Sequence, residues 1–197
     1  MALHFSERDR ARYAGRDNVY GRERRYEDDR GPGNGRDFFE ADLEHIPARQ
    51  LMTRQVATVH VQDRVERAAQ LMRECDCGAL PVVNDSGRLI GMITDRDIVM
   101  RLIARGRDTR SARVEDAMTD RAYSCHASDD VEDCIEAMAH HKVRRMPIVD
   151  DRNRVIGILS QGDLAMFAGR RRPGGEVGRK VVDVLSEISE PSDRPYQ

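Results

Sequence analysis

The sequence predicts an α+β fold: two β-α-β-β-α repeats packed with pseudo-twofold symmetry, preceded by a disordered N-terminal tail. Three observations predict it. The chain matches itself at a displacement of 66 residues without a gap. Its apolar residues concentrate between about Ile46 and Phe167. Within each unit, short alternating or continuous apolar runs flank one amphipathic stretch of helical period.

The self-match spans a whole unit. Met52-Thr53 falls on Met118-Thr119, His60 on His126, Asp63 on Asp129, Val65-Glu66 on Val131-Glu132 and Met72 on Met138. Further on, Pro81 falls on Pro147, Val83 on Val149, Asp85 on Asp151, Arg88 on Arg154, Ile90-Gly91 on Ile156-Gly157, Asp97 on Asp163 and Met100 on Met166. Such gapless agreement marks an internal duplication.

Each element follows in order. "TVHV" (58–61) and "YSCH" (123–126) are short strand candidates. Asp63-x-x-Glu66 and Asp129-x-x-Glu132 have the spacing of capping boxes. The helices they open carry Val65, Ala68, Ala69 and Met72, then Val131, Cys134, Ile135 and Met138, an i, i+3, i+4, i+7 stripe. "ALPVV" and "RMPIV" come next, with proline tolerated near a strand start. The turns "NDSG" and "DDRN" lead into "RLIGMI" and "RVIGIL", and a second helix follows each. A unit of roughly 50 residues buries too little surface alone, so the two are expected to pack together. The expected organisation is a tail over 1–45, repeats over 46–104 and 114–168, a polar linker over 105–113, and a flexible C-terminal tail over 169–197 with a short helix.

Composition narrows the function classes. Residues 1–45 hold nine Arg and eleven Asp or Glu, no Lys, and no sustained apolar period, which reads as disorder. Tyr13, Tyr20 and Tyr26 interleave with arginines there, a spacing that serves RNA stacking or self-association, but the acidic residues cancel the charge. With a net charge of −2, nucleic acid is not expected as a partner. The start "MALHFSERDRARY" lacks a signal-peptide core, and no apolar run approaches the ~20 residues that span a bilayer, so a cytoplasmic, membrane-free protein is expected. Cys75, Cys77, Cys125 and Cys134 fit no zinc-ligand spacing, and His140-His141 lacks a completing ligand, so no metal site is expected. No nucleophile, base and orienting group occur together, and no catalytic residue is assigned. At the C-terminus, "RRRPGG" reads as a hinge. Val181, Val184, Leu185 and Ile188 after it form a helical stripe that docks on the module or a partner, or else frays alone.

The element order, the "LMT" and "AMT" openings, "LPVV" and "MPIV", and "GMITDRD" and "GILSQGD" together resemble a tandem pair of CBS domains, a Bateman module. The resemblance covers about 120 residues. It implies a regulatory, non-catalytic unit that packs about a pseudo-twofold axis, commonly dimerises, and takes adenosyl compounds in two clefts. AMP, ADP, ATP, NAD and S-adenosylmethionine are the ligands it implies, with a separate protein partner receiving the signal.

Two readings compete for the repeated hydroxyl–carboxylate step, Thr94 to Asp97 and Ser160 to Asp163. As plain helix starts, Thr and Ser are good N-caps and the carboxylate suits the first turn. A reciprocal box normally uses Glu or Gln in the third position, and Asp reaches back less easily. As a ligand grip, the hydroxyl donates to phosphate while the carboxylate accepts from the paired hydroxyls of a ribose.

The resemblance also implies that each cleft draws on both repeats. Thr94, Arg96 and Asp97, with Met92, should face Arg121, His126, Val143, Arg144 and Arg145. Ser160 and Asp163, with Ile158, should face Gln55, His60, Cys77, Gly78 and Ala79. Arg144 and Arg145 stand where the family often places basic phosphate ligands, and guanidinium pairs with phosphate bidentately. Gly78 and Ala79 take those places in the first repeat, so the Asp97 cleft is expected to be the better nucleotide site. The competing readings are a structural module with empty clefts whose tails bind a partner, and a redox sensor built on Cys75 and Cys77.

Overall fold

The structure is a computed structural model that describes residues 46–169 and 176–189. The expected N-terminal tail and the "RRRPGG" hinge lie outside the described residues. The elements run α1 Ala48–Leu51, β1 Thr53–Arg54, β2 Val59–His60, α2 Val65–Glu74, β3 Ala79–Val83, β4 Leu89–Thr94 and α3 Asp95–Arg101. After 3-10 turns at Ile103–Arg105 and Val114–Asp116 come β5 Thr119–Asp120, β6 Cys125–His126, α4 Val131–His140, β7 Arg145–Val149, β8 Val155–Ser160, α5 Gln161–Gly169 and α6 Glu176–Ser189.

Two four-stranded sheets form, ordered β1-β8-β7-β6 and β2-β3-β4-β5. Each sheet is mostly one repeat: a parallel pair, β2 with β3 or β6 with β7, followed by an antiparallel hairpin. The fourth strand of each belongs to the other repeat. Thr53 pairs with Ile158, and Thr119 pairs with Met92. The repeats therefore exchange their opening strands, a feature that the β-α-β-β-α reading leaves out.

Glycine makes the exchange possible. Gly91 and Gly157 are counterparts in β4 and β8, and each lies under the incoming strand. A Cβ on Gly91 would stand 2.6 Å from the Thr119 carbonyl oxygen, and one on Gly157 would strike the Met52 thioether. The hairpins touch as well: Leu89 N donates to Asn153 O at 2.9 Å, and Asn153 Nδ2 donates to Leu89 O at 3.2 Å.

Two cores follow from this arrangement. One gathers Val59, Val65, Leu71, Leu80, Val82, Ile93 and Leu102, and takes Ala112, Val114 and Ala117 from the segment leading into β5. The other gathers Val131, Ile135, Met138, Met146, Ile148, Leu159 and Leu164, and takes Ile46 and Ala48 from the segment leading into β1. Part of the expected polar linker thus serves as core.

The C-terminal stripe docks on the second repeat. Val181, Val184 and Ile188 of α6 join its core, while Leu185 packs against it. Lys180 pairs with Glu132 and lies 3.8 Å from Glu136 on α4. The asymmetry has a cause in the sequence. Ile135 and Ala139 are buried where the first repeat has exposed Ala69 and Arg73. The stripe expected on α2 is corrected accordingly: Val65, Ala68 and Met72 are buried, Leu71 joins them, and Ala69 faces out.

Two further expectations are corrected. Asp63 and Asp129 do not cap α2 and α4, whose N-caps are Arg64 and Asp130 without a side-chain bond. Both helices start a residue later than the spacing implied. Each aspartate instead closes the preceding turn, its Oδ2 accepting from His60 N at 3.0 Å or His126 N at 2.7 Å. Among the described residues no helix is long and apolar enough to cross a membrane.

Candidate functional site

Both hydroxyl–carboxylate steps form full reciprocal boxes. Thr94 N and Oγ1 donate to Asp97 Oδ2 at 2.9 and 2.6 Å, and Asp97 N donates back to Thr94 Oγ1 at 3.0 Å. Ser160 N and Oγ donate to Asp163 Oδ2 at 2.9 and 2.5 Å, and Asp163 N returns to Ser160 Oγ at 3.2 Å. Asp therefore reaches back despite its length, because the cap's hydroxyl and amide converge on one carboxylate oxygen. The other oxygen of each carboxylate is set by the rest of the fold. At seven residues, α3 is too short for a large macrodipole, so any grip there comes from side chains.

The opening strands cross to the other repeat's step. β1 brings Thr53 beside Ile158, and Thr53 Oγ1 donates to Asp163 Oδ1 at 3.1 Å. β5 brings Thr119 beside Met92, and Arg121 N donates to Ile90 O at 3.1 Å. Gln55 and Arg121, the residues just past each opening strand, both hold left-handed backbone, φ 58° and 56°. Strain of about 1–2 kcal/mol at matched non-glycine positions is tolerated where the fold needs the chain to leave its strand sharply.

Each step also has neighbours from the hairpin of its own repeat. In a tight hairpin the first residue of one strand meets the last of the next, so Ala79 pairs with Thr94 and Arg145 with Ser160. Asp95 N donates to Gly78 O, and Gln161 N donates to Arg144 O, both at 3.1 Å. Cys77, Gly78 and Ala79 thus adjoin the Thr94 step, while Val143, Arg144 and Arg145 adjoin the Ser160 step. The positive charge of Arg145 acts on Cys77, favouring its thiolate. Arg96 is exposed, its amide donating to Asp95 Oδ1 at 2.7 Å.

The histidines sit at the far strand ends. His60 pairs with Val83 and His126 with Val149, four residues beyond Ala79 and Arg145, about 13 Å along a strand. His60 Nδ1 accepts from Gln62 N at 3.2 Å, which places any proton of the neutral ring on Nε2, 2.9 Å from Asp85 Oδ1. His126 is exposed. Their side-chain partners lie in the turns that follow them and, for His60, at Asp85 between β3 and β4, and not at either step.

Burial pushes the Cys77 thiol up, and the Ala79 amide and Arg145 offset this only partly. Hydrogen bonding with Cys125, then burial, holds Cys134 far above the usual thiol range. Raised thiols are poor nucleophiles at neutral pH. At pH 7.5, Cys77 and Cys134 are expected to alkylate with iodoacetamide more slowly than free cysteine, as peptide mapping by mass would measure. Faster alkylation of Cys77 would restore the redox reading. Among the described residues, no group of three His, Cys, Asp or Glu is placed to hold a metal ion.

Sequence reasoning missed Arg101. Its Nη1 donates to the carbonyls of Ala117, at 2.9 Å, and Met118. Nη2 donates to Thr119 Oγ1 at 3.1 Å, and Nε lies 3.6 Å from Asp97 Oδ1. The only sequence signal is that position 167 in the second repeat is Phe.

The family model described as "CBS domain" matches residues 48–104 and 114–169. CBS domain-containing protein YhcV of Bacillus subtilis is 44% identical over 115 residues, covering 58% of this chain and 80% of that protein. Hypoxic response protein 1 of Mycobacterium tuberculosis is 38% identical over 118 residues, covering 60% and 82%. The crystal structure of Hypoxic Response Protein I with two coordinated zinc ions matches at TM-score 0.57 and 36% identity, over 61% of this chain and 98% of that one. The CBS domain pair of protein MJ0100 in complex with 5′-methylthioadenosine and S-adenosyl-L-methionine matches at TM-score 0.57 and 25% identity, over 63% and 96%.

Proposed function

The chain belongs to the CBS domain family, with two repeats in tandem forming a regulatory module, and from that premise we propose that it senses adenine nucleotides or related adenosyl compounds and signals to a protein partner. The observation that carries this reading is the doubled box. Two carboxylates stand at two helix starts, each beside the strand that crosses from the other repeat. A ligand seated there would touch both repeats, so its binding energy could alter how they pack. The adenosyl ligands of MJ0100 support the ligand class. AMP, ADP, ATP and NAD are the finer candidates, with Arg144 and Arg145 as phosphate partners. A homodimer in the cytoplasm completes the proposal.

Calorimetric titration with AMP, ADP, ATP, NAD and S-adenosylmethionine tests it. Asp97→Ala should weaken the bound ligand at least tenfold, about 1.4 kcal/mol, because a charged acceptor of ribose hydroxyls is lost. Arg144→Ala should weaken phosphorylated ligands selectively. If both variants leave every affinity unchanged, the site assignment is wrong. If no ligand at millimolar concentration binds or raises Tm, the empty-cleft reading takes its place.

A further inference from the structure

The two boxes are alike, but each aspartate is joined to its crossing strand differently. At the second, Thr53 donates straight to Asp163 Oδ1, and Asp163 is 4% exposed. At the first, the counterpart hydroxyl of Thr119 is engaged by Arg101, and Arg101 Nε stands 3.6 Å from Asp97 Oδ1. The side chain of Phe167, the counterpart of Arg101, carries no hydrogen-bond donor for such a link.

Two consequences follow. A separation of 3.6 Å is longer than a hydrogen bond, so Asp97 Oδ1 keeps acceptor capacity that Asp163 Oδ1 has spent on Thr53. The guanidinium is also always protonated and offsets the Asp97 charge beside the box. An anionic group arriving there meets a near-neutral pair rather than a bare carboxylate. The side chains are 40% and 18% exposed, so solvent screens the pair without removing the effect.

Resting on the adenosyl-binding reading above, we infer that Arg101 is the positioning residue that makes the Thr94–Asp97 cleft accept phosphorylated adenosyl ligands. It presents Asp97 to the ribose, cancels its charge, and holds the crossing strand in place.

The test is a charge series of ligands on the full chain. AMP and the phosphate-free 5′-methylthioadenosine are titrated calorimetrically into the native protein, Arg101→Phe and Arg101→Lys. Each is also measured with Asp163→Asn to isolate the first cleft, and folding is checked by thermal melting. Arg101→Phe should weaken AMP at least tenfold and 5′-methylthioadenosine less than threefold. Arg101→Lys, which keeps the charge but loses the fork, should keep most of the AMP preference. Raising salt should erode the AMP preference of the native protein and leave Arg101→Phe nearly unaffected. Equal loss of both ligands, or loss of neither, would show Arg101 to be a structural staple only and overturn the inference while the adenosyl reading stands. Failure of both ligands to bind the native protein would overturn the inference together with that reading.

Discussion

Gly91→Ala is expected to destabilise the protein by about 2–3 kcal/mol and to lower Tm by roughly 5–10 °C. The added Cβ would sit 2.6 Å from the Thr119 carbonyl oxygen, a backbone atom that no rotamer change can move. β5 would have to lift from β4, breaking the Met92–Thr119 pairing. The gain of about 0.4–1 kcal/mol from reduced unfolded-state freedom offsets only part of that. Gly157→Ala makes an internal control. Its Cβ meets the Met52 side chain, which can turn aside, so about 1–2 kcal/mol is expected. Chemical denaturation of both variants measures the difference. Equal costs, or a stable Gly91→Ala, would mean that the crossing strand is not held as tightly as the geometry indicates. Because Arg101 grips that same strand, Gly91→Ala should also disturb the Asp97 cleft before the Asp163 cleft.

Val181→Asp should release α6. Val181 is fully buried in the core of the second repeat, and an unpaired carboxylate there costs several kcal/mol. The helix escapes that cost by undocking, so the loss is capped by what docking contributes. Burying Val181, Val184 and Ile188 contributes about 6 kcal/mol gross at roughly 2 kcal/mol each. Helix ordering opposes this, and the expected net loss is about 2–3 kcal/mol, in the range usual for a disrupted buried contact. Lys180→Glu, which sets like charges against Glu132 and Glu136, should cost less than 1 kcal/mol. Hydrogen exchange reads the outcome: amides 178–189 lose protection in Val181→Asp and largely keep it in Lys180→Glu. Unchanged protection in Val181→Asp would mean that the helix is held elsewhere.

Much of this was legible in the chain. The 66-residue echo, the strand and helix order, and the S/T-x-x-D boxes are local or periodic features, and short-range sterics and hydrogen bonding decide them. The C-terminal stripe was legible as a helix because its spacing is local. Its berth followed from Ile135 and Ala139 replacing Ala69 and Arg73, a difference visible only once the repeats are aligned and the neighbours known. The capping boxes assigned to Asp63 and Asp129 failed because the same side chain can satisfy either of two nearby amides, and a strand end competed successfully with the helix.

What the sequence by itself determined is the duplicated unit, its α+β character, and the pair of hydroxyl–aspartate steps. No local pattern reports which strand meets which step: the resemblance implied only that each cleft draws on both repeats, and the tertiary structure supplied the contacts. It crossed the openings of the two repeats, seated Gly78 and Ala79 beside Thr94 and Arg145 beside Ser160, and set Arg101 rather than a threonine hydroxyl against Asp97. Thr53 and Asp163 are 110 residues apart, and no local period reports such a contact. It exists because close backbone approach at two glycines lets a strand from one repeat complete the sheet of the other, and packing at that range depends on the shape of the whole module.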